Sequence, residues 1–211
     1  MAVKSSLKNM TLCLLLICFV CSGLLAGVYA LTKSPIEAAA KAKNEAAIKE
    51  VLPESASQIE QERTVTVADK QYSYNLAYDA QGNTVGCAIN VSTLGFGGPI
   101  LIKVGFDSEG VIYNTKVLSQ SETPGLGAKC TEPGESGFAF QFKGWDPSVK
   151  KLSVKKDGGD VNAITASTIT SRAYSAGLAT AVEVFRAIAQ TPMPLDDAIS
   201  DEVEKSNTEE E

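Results

Sequence analysis

Ile100-Leu101-Ile102-Lys103-Val104-Gly105-Phe106-Asp107-Ser108-Glu109-Gly110-Val111-Ile112-Tyr113-Asn114-Thr115-Lys116-Val117-Leu118 reads as a β-hairpin. Ile100 to Phe106 and Val111 to Leu118 are rich in β-branched and aromatic residues, and the acids and glycine of Asp107 to Gly110 are what a tight reversal needs. Upstream, Thr64 to Ala68 and Tyr72 to Leu76 alternate in polarity, and Gln81-Gly82-Asn83 turns the chain into Thr84 to Val91. Downstream, Trp145 to Lys156 reads as a further edge strand. From about Thr170 to Gln190 the period changes to 3.6, with Tyr174, Leu178, Ala181, Phe185 and Ile188 on one stripe. The expectation is an α+β fold, an antiparallel sheet covered by a C-terminal helix.

Met10 to Leu31 contains no charged residue, and 22 residues at about 1.5 Å each cross the ~30 Å hydrocarbon layer. Lys4, Lys8 and the small residues at Val28-Tyr29-Ala30 also suit a cleaved signal. The run exceeds the 7 to 15 apolar residues of a signal core, which favours a retained anchor. The basic start keeps the N-terminus inside and the folded domain outside the cytoplasmic membrane, although Lys33, Lys41 and Lys43 lie beyond the other end. Ser34-Pro35-Ile36-Glu37 carries an N-cap, a first-turn proline and an N3 acid, predicting a separate juxtamembrane helix that stops before Pro53. The expected organisation is a tail and anchor over 1–32, a juxtamembrane helix and linker over 33–62, the folded domain over 63–192, and an acidic, disordered tail over 193–211.

The formal charge of -6 comes from that tail, where Asp196 to Glu211 holds eight acids and one lysine. The remainder is near neutral, so no basic face follows a phosphate backbone, and nucleic acid is excluded as a partner. With no histidine, the usual proton shuttle and the commonest metal ligand are absent. Cys13, Cys18 and Cys21 lie in the apolar run, while Cys87 and Cys130 stand alone, so no metal site is legible. Spacing does not decide whether Cys87 and Cys130 pair.

Three segments stand out. Gly95-Phe96-Gly97-Gly98-Pro99 suits a turn between strands, and Glu122-Thr123-Pro124-Gly125-Leu126-Gly127 suits either a structural or a ligand-binding loop. Thr165-Ala166-Ser167-Thr168-Ile169-Thr170-Ser171 places five hydroxyls in seven residues before the amphipathic helix. By themselves these read first as N-cap groups and only second as a phosphate site at the positive end of a helix.

The hydroxyl segment resembles the Ser/Thr-Gly-Ala-Thr-x-Thr-Ser signature of the FMN-binding domain family, whose attachment threonine aligns with Thr168. The segments at 122 to 127 and 95 to 100 are similar to that family in the same order. Through about residue 190 the chain resembles the G subunits of Rnf electron-transport complexes, and secondarily the C subunits of sodium-translocating NADH:quinone oxidoreductases. It departs from the signature at Ala166, where the family has glycine, at Ser167, where it has alanine, and at Asn162, where it has an acid.

The resemblance implies a covalent FMN, joined by a phosphoester to Thr168. Glu122, Thr123, Gly125, Leu126, Gly127, Lys129, Thr165, Ala166, Ser167, Ile169, Thr170 and Ser171 are the remaining candidate cofactor-binding residues. In this reading Thr170 and Ser171 stabilise the phosphate and the loop from Glu122 to Gly127 closes over the ring or phosphate. It further implies an electron-carrying subunit of a ferredoxin:NAD-type ion-translocating complex in the inner membrane. Its partners are the other membrane subunits and, during maturation, a flavin transferase, and it has no substrate site of its own. A stand-alone flavin reductase and a non-redox envelope scaffold are the alternatives.

Overall fold

A computed structural model of the chain describes residues 7–190; the expected acidic tail lies outside the described residues. The chain divides into two compact units, Met1–Ala46 and Ala47–Glu211.

The described part of the first unit is helical. Helix α1 (Leu7–Val51) runs for 45 residues without a break, long and apolar enough at its N-terminal end to cross a membrane. This corrects one expectation: Pro35 lies inside α1, and no separate juxtamembrane helix begins at Ser34. A proline forfeits one backbone hydrogen bond, but the alanine-rich sequence on its C-terminal side favours helix. The Thr32 hydroxyl donates to the Val28 carbonyl at 2.8 Å rather than starting a turn, and Lys33 and Glu37 form an i,i+4 pair across Pro35.

The second unit is built on an antiparallel sheet of six strands: β1 (Gln58–Ile59), β2 (Arg63–Val67), β3 (Lys70–Tyr78), β4 (Thr84–Leu94), β5 (Pro99–Asp107) and β6 (Ile112–Ser119). The order is β1-β3-β4-β5-β6, with β2 also paired to β3. The hairpin from Ile100 to Leu118 forms as expected, and Asp107 Oδ1 accepts the N–H groups of Glu109 and Val111 to close its turn. The two-residue β1 was not anticipated, being too short to show a period.

Helix α2 (Thr168–Gln190) covers one face of the sheet. Period-2 positions Ile100, Ile102, Val104 and Phe106 of β5 meet Tyr174, Leu178, Ala181 and Ile188 of α2 in one core. Phe185 stacks on Phe106 with centroids 4.9 Å apart, and Tyr174 packs against Phe138 and Phe142. The Tyr174 hydroxyl shares a buried hydrogen bond of 2.8 Å with Thr115 on β6, which satisfies both polar groups.

The expected edge strand at 145–156 is absent. Trp145 makes a single antiparallel bridge to Ile112, and Val154 a single parallel bridge to Val161. Asp146 takes the Ser148 N–H and hydroxyl, and Lys155–Asp157 form a 3-10 turn, so local side-chain partners outcompete a ladder. Cys87 and Cys130 are free thiols buried in the core, raised to about 12 and about 11 chiefly by burial.

The opposite face of the sheet is covered in part by Ile48, Val51 and Leu52, packed on Ala77 and Ala88. Gly105 makes this possible, because a Cβ there would lie 1.8 Å from the Val51 carbonyl oxygen. Lys103, on the side of β5 away from α2, is fully buried and its Nζ has no hydrogen-bond partner. Burial lowers its pKa from 10.5 to about 8, against the opposing pull of Glu62.

Because the unfolded lysine holds its proton to higher pH than the folded one, the penalty is complete below about pH 8 and is relieved as pH rises towards 10.5. Lys103→Met is therefore expected to raise stability at pH 7 by about 1–3 kcal/mol. Its advantage should shrink between pH 8 and 10.5 in denaturant titrations of both proteins, and a constant difference would refute this account.

Candidate functional site

The three segments singled out in the sequence meet at one carboxylate. Gly95 to Gly98 form the turn between β4 and β5, closed by the Gly95 N–H donating to the Gly98 carbonyl at 2.8 Å. Beyond β6, the Glu122 side chain turns inward and is 6% exposed. Its Oε1 accepts the Gly97 N–H at 3.0 Å, and its Oε2 accepts the Thr170 hydroxyl at 2.6 Å. One buried carboxylate thus fastens the β4–β5 turn, its own loop and the first turn of α2.

This arrangement explains two glycines. A Cβ on Gly95 would lie 2.1 Å from Glu122 Oε1, and one on Gly127 would lie 2.2 Å from Oε2. Gly125 has a different reason: its φ of +76° lies in the left-handed region, and its Cβ position is open. The loop is otherwise held by the Thr123 carbonyl, which accepts the N–H groups of Leu126 and Ala128.

The approach to α2 is also locked. The Ser171 hydroxyl accepts the Ile164 N–H and donates to the Ser167 carbonyl, both at 2.9 Å, and the Ser171 N–H reaches the same carbonyl at 3.0 Å. Both Thr170 and Ser171 are buried, with their hydroxyls engaged by protein partners. Ala166 bends the chain into the helix with φ of +60°, a conformation that costs a residue bearing a Cβ roughly 1–2 kcal/mol. Thr168, half-buried, is the first residue of α2, where backbone N–H groups have no helical carbonyl to bond.

Beside these segments lies a cavity of about 400 Å³. Glu122, Thr123, Leu126, Gly127 and the stretch Ala166 to Thr170 line it, together with Phe96. Phe96, Leu126 and Ile169 form a partly exposed apolar lip. Phe96 was not among the candidates; a phenylalanine flanked by glycines in a turn, with no strand neighbour to pack on, was the available signal.

Not every candidate lines this cavity. Lys129 and Thr165 line an adjacent cavity of about 400 Å³, with Glu132, Phe138, Gln141 and Asn162. There the Asn162 N–H donates to Gln141 Oε1 at 2.9 Å, while Gln141 Nε2 donates back to the Asn162 carbonyl at 3.1 Å. Gly125 sits at the loop tip and Ser171 beneath the site. Among the described residues, no group of three or more His, Cys, Asp and Glu could hold a metal ion.

The FMN-binding domain family matches residues 95–183, which contain all three segments, and the RnfG N-terminal region matches residues 1–51. The G subunit of the ion-translocating oxidoreductase complex of Shewanella piezotolerans is 35% identical over 182 residues, covering 81% of this chain and 85% of its own. Its counterpart in Methanosarcina acetivorans is 30% identical over 191 residues, covering 87% and 96%. Among solved structures, the C subunit of the Na(+)-translocating NADH-quinone reductase from Parabacteroides distasonis is 22% identical with a TM-score of 0.47, covering 72% of this chain and 85% of that one.

The left-handed bend at Ala166 gives a direct expectation. Ala166→Gly removes the Cβ strain but adds freedom to the unfolded chain worth about 0.4–1 kcal/mol, leaving a net gain of about 0.5 kcal/mol. The melting midpoint should rise by about 1–2 °C. A fall would mean that the Ala166 methyl makes contacts worth more than the strain.

Proposed function

Since this chain belongs to the family of G subunits of ion-translocating oxidoreductase complexes, we propose that it carries FMN as a phosphoester on Thr168 and relays electrons within such a complex. The observation that carries this reading is the position of Thr168. Its hydroxyl-bearing side chain stands at the start of a 23-residue helix, on the wall of a cavity with an apolar lip.

The residues present fit the group. A cavity of this size lies within the range of small-molecule sites, and Phe96, Leu126 and Ile169 supply apolar surface for a planar ring. The N–H groups of the first turn of α2 and the positive end of its dipole suit a phosphodiester. The hydroxyls of Thr170 and Ser171 have a different part here, holding Glu122 and the Ile164–Ser167 turn in place. Bound flavin supplies the redox chemistry, while the protein supplies position and electrostatics. Thr168 tethers the cofactor, α2 anchors Thr168 to the sheet, and the lip limits water at one side of the ring.

The other subunits of the complex are the electron donors and acceptors in this reading, and a flavin transferase installs the cofactor. The transferase meets an exposed Asn162, whose backbone is held by Gln141, at the position where the signature has an acid. Helix α1 inserts in the cytoplasmic membrane with its N-terminus inside, leaving the flavin domain on the outer side.

Two measurements test these statements. Co-expressed with a flavin transferase, the chain should gain the mass of an FMN phosphoester on the peptide containing Thr168 and fluoresce after denaturing electrophoresis. Thr168→Val should abolish both, and fluorescence retained by the valine protein would reject the attachment site. For topology, Val149 is 77% exposed and far in sequence from the span. Val149→Cys in intact cells should react with an impermeant thiol reagent, and reaction only after lysis would place the domain inside.

A further inference from the structure

On the reading that a flavin tethered at Thr168 lies in the adjoining cavity, we propose that Glu122 is a positioning residue whose buried carboxylate shapes that cavity and holds a negative charge against the cofactor, lowering its reduction potential.

Glu122 lines the cavity and is almost fully buried, yet the groups that compensate it are neutral: the Gly97 N–H and the Thr170 hydroxyl. None of the ion pairs among the described residues includes it. Two hydrogen bonds from neutral donors stabilise a carboxylate without cancelling its net charge, and in a poorly solvated site its field reaches its neighbours with little screening. The same charge adds to burial, the larger cause, in pushing up the Cys130 thiol. Glycines at 95 and 127 clear the space that lets the carboxylate sit there. Reduction adds electrons to the flavin ring, so a fixed negative charge beside the cavity disfavours the reduced form. The Thr170 hydroxyl partly offsets that charge by pointing its dipole at Oε2.

The test is a spectroscopic redox titration of the full chain, co-expressed with a flavin transferase and purified in detergent. Glu122→Gln keeps the size and an acceptor oxygen but removes the charge. It should favour reduction by about tenfold, a rise of about 30 mV for a two-electron couple. Glu122→Asp disturbs the geometry but keeps the charge, and its potential should stay close to that of the wild type. An unchanged or lower potential in the glutamine protein, or an equal rise in the aspartate protein, would overturn the proposal. Should the glutamine protein fail to fold or to load flavin, Thr170→Val reads the same charge by removing its donor. Its potential should fall, and a rise or no change would overturn the proposal. Mass measurement of the wild-type peptide containing Thr168 comes first; an unmodified mass removes the underlying flavin reading, independently of any potential.

Discussion

The molecule depends on the burial of one stripe of α2 against one face of the antiparallel sheet. Tyr174, Leu178, Ala181 and Ile188 lose their water together with Ile100, Ile102, Val104 and Phe106, and this non-directional force sets where the helix lies. Directional contacts then fix its rotation. The Tyr174–Thr115 hydrogen bond and the stacking of Phe185 on Phe106 each tolerate one orientation of α2 about its axis. Once that is set, the N-terminal turn of α2 has one place to emerge, and Thr168 with it.

Around that terminus the polar interactions are arranged in two tiers. Ser171 ties the approaching chain to the helix from below, and Thr170 ties the helix to Glu122 from the side. Neither hydroxyl faces the task that its motif suggested, because a buried hydroxyl is most valuable where it satisfies a backbone or carboxylate partner. Beside them, the half-buried Thr168 and the partly exposed Phe96, Leu126 and Ile169 line the cavity.

The strands of the main sheet and helix α2 were legible because their periods persist over enough residues to be counted. The hairpin from Ile100 to Leu118 carried both its pattern and its turn chemistry. Two readings failed for reasons that periodicity does not capture. At Pro35, strong helix formers on the C-terminal side outweighed a start signal, and the chain between Trp145 and Lys156 gave its hydrogen bonds to Asp146 and local turns. The candidate site was partly legible: hydroxyls before an amphipathic helix and two glycine loops marked three segments that the fold brings together. Their convergence on Glu122 was not, since a contact between residues 97, 122 and 170 has no signature in local spacing. The burial of Lys103 without a hydrogen-bond partner likewise has no signature in local spacing.

The fit between Glu122 and the two glycines also bears on how this site can change over generations. A Cβ at 95 or 127 meets the carboxylate as it stands, so replacing either glycine pushes Glu122 off its hydrogen bonds to Gly97 and Thr170. Loss of the glutamate, in turn, would strip the β4–β5 turn and α2 of their shared fastening. Positions 95, 122 and 127 are therefore expected to evolve as a unit, kept together or exchanged together, and a lineage that has lost one should show compensating changes at the other two.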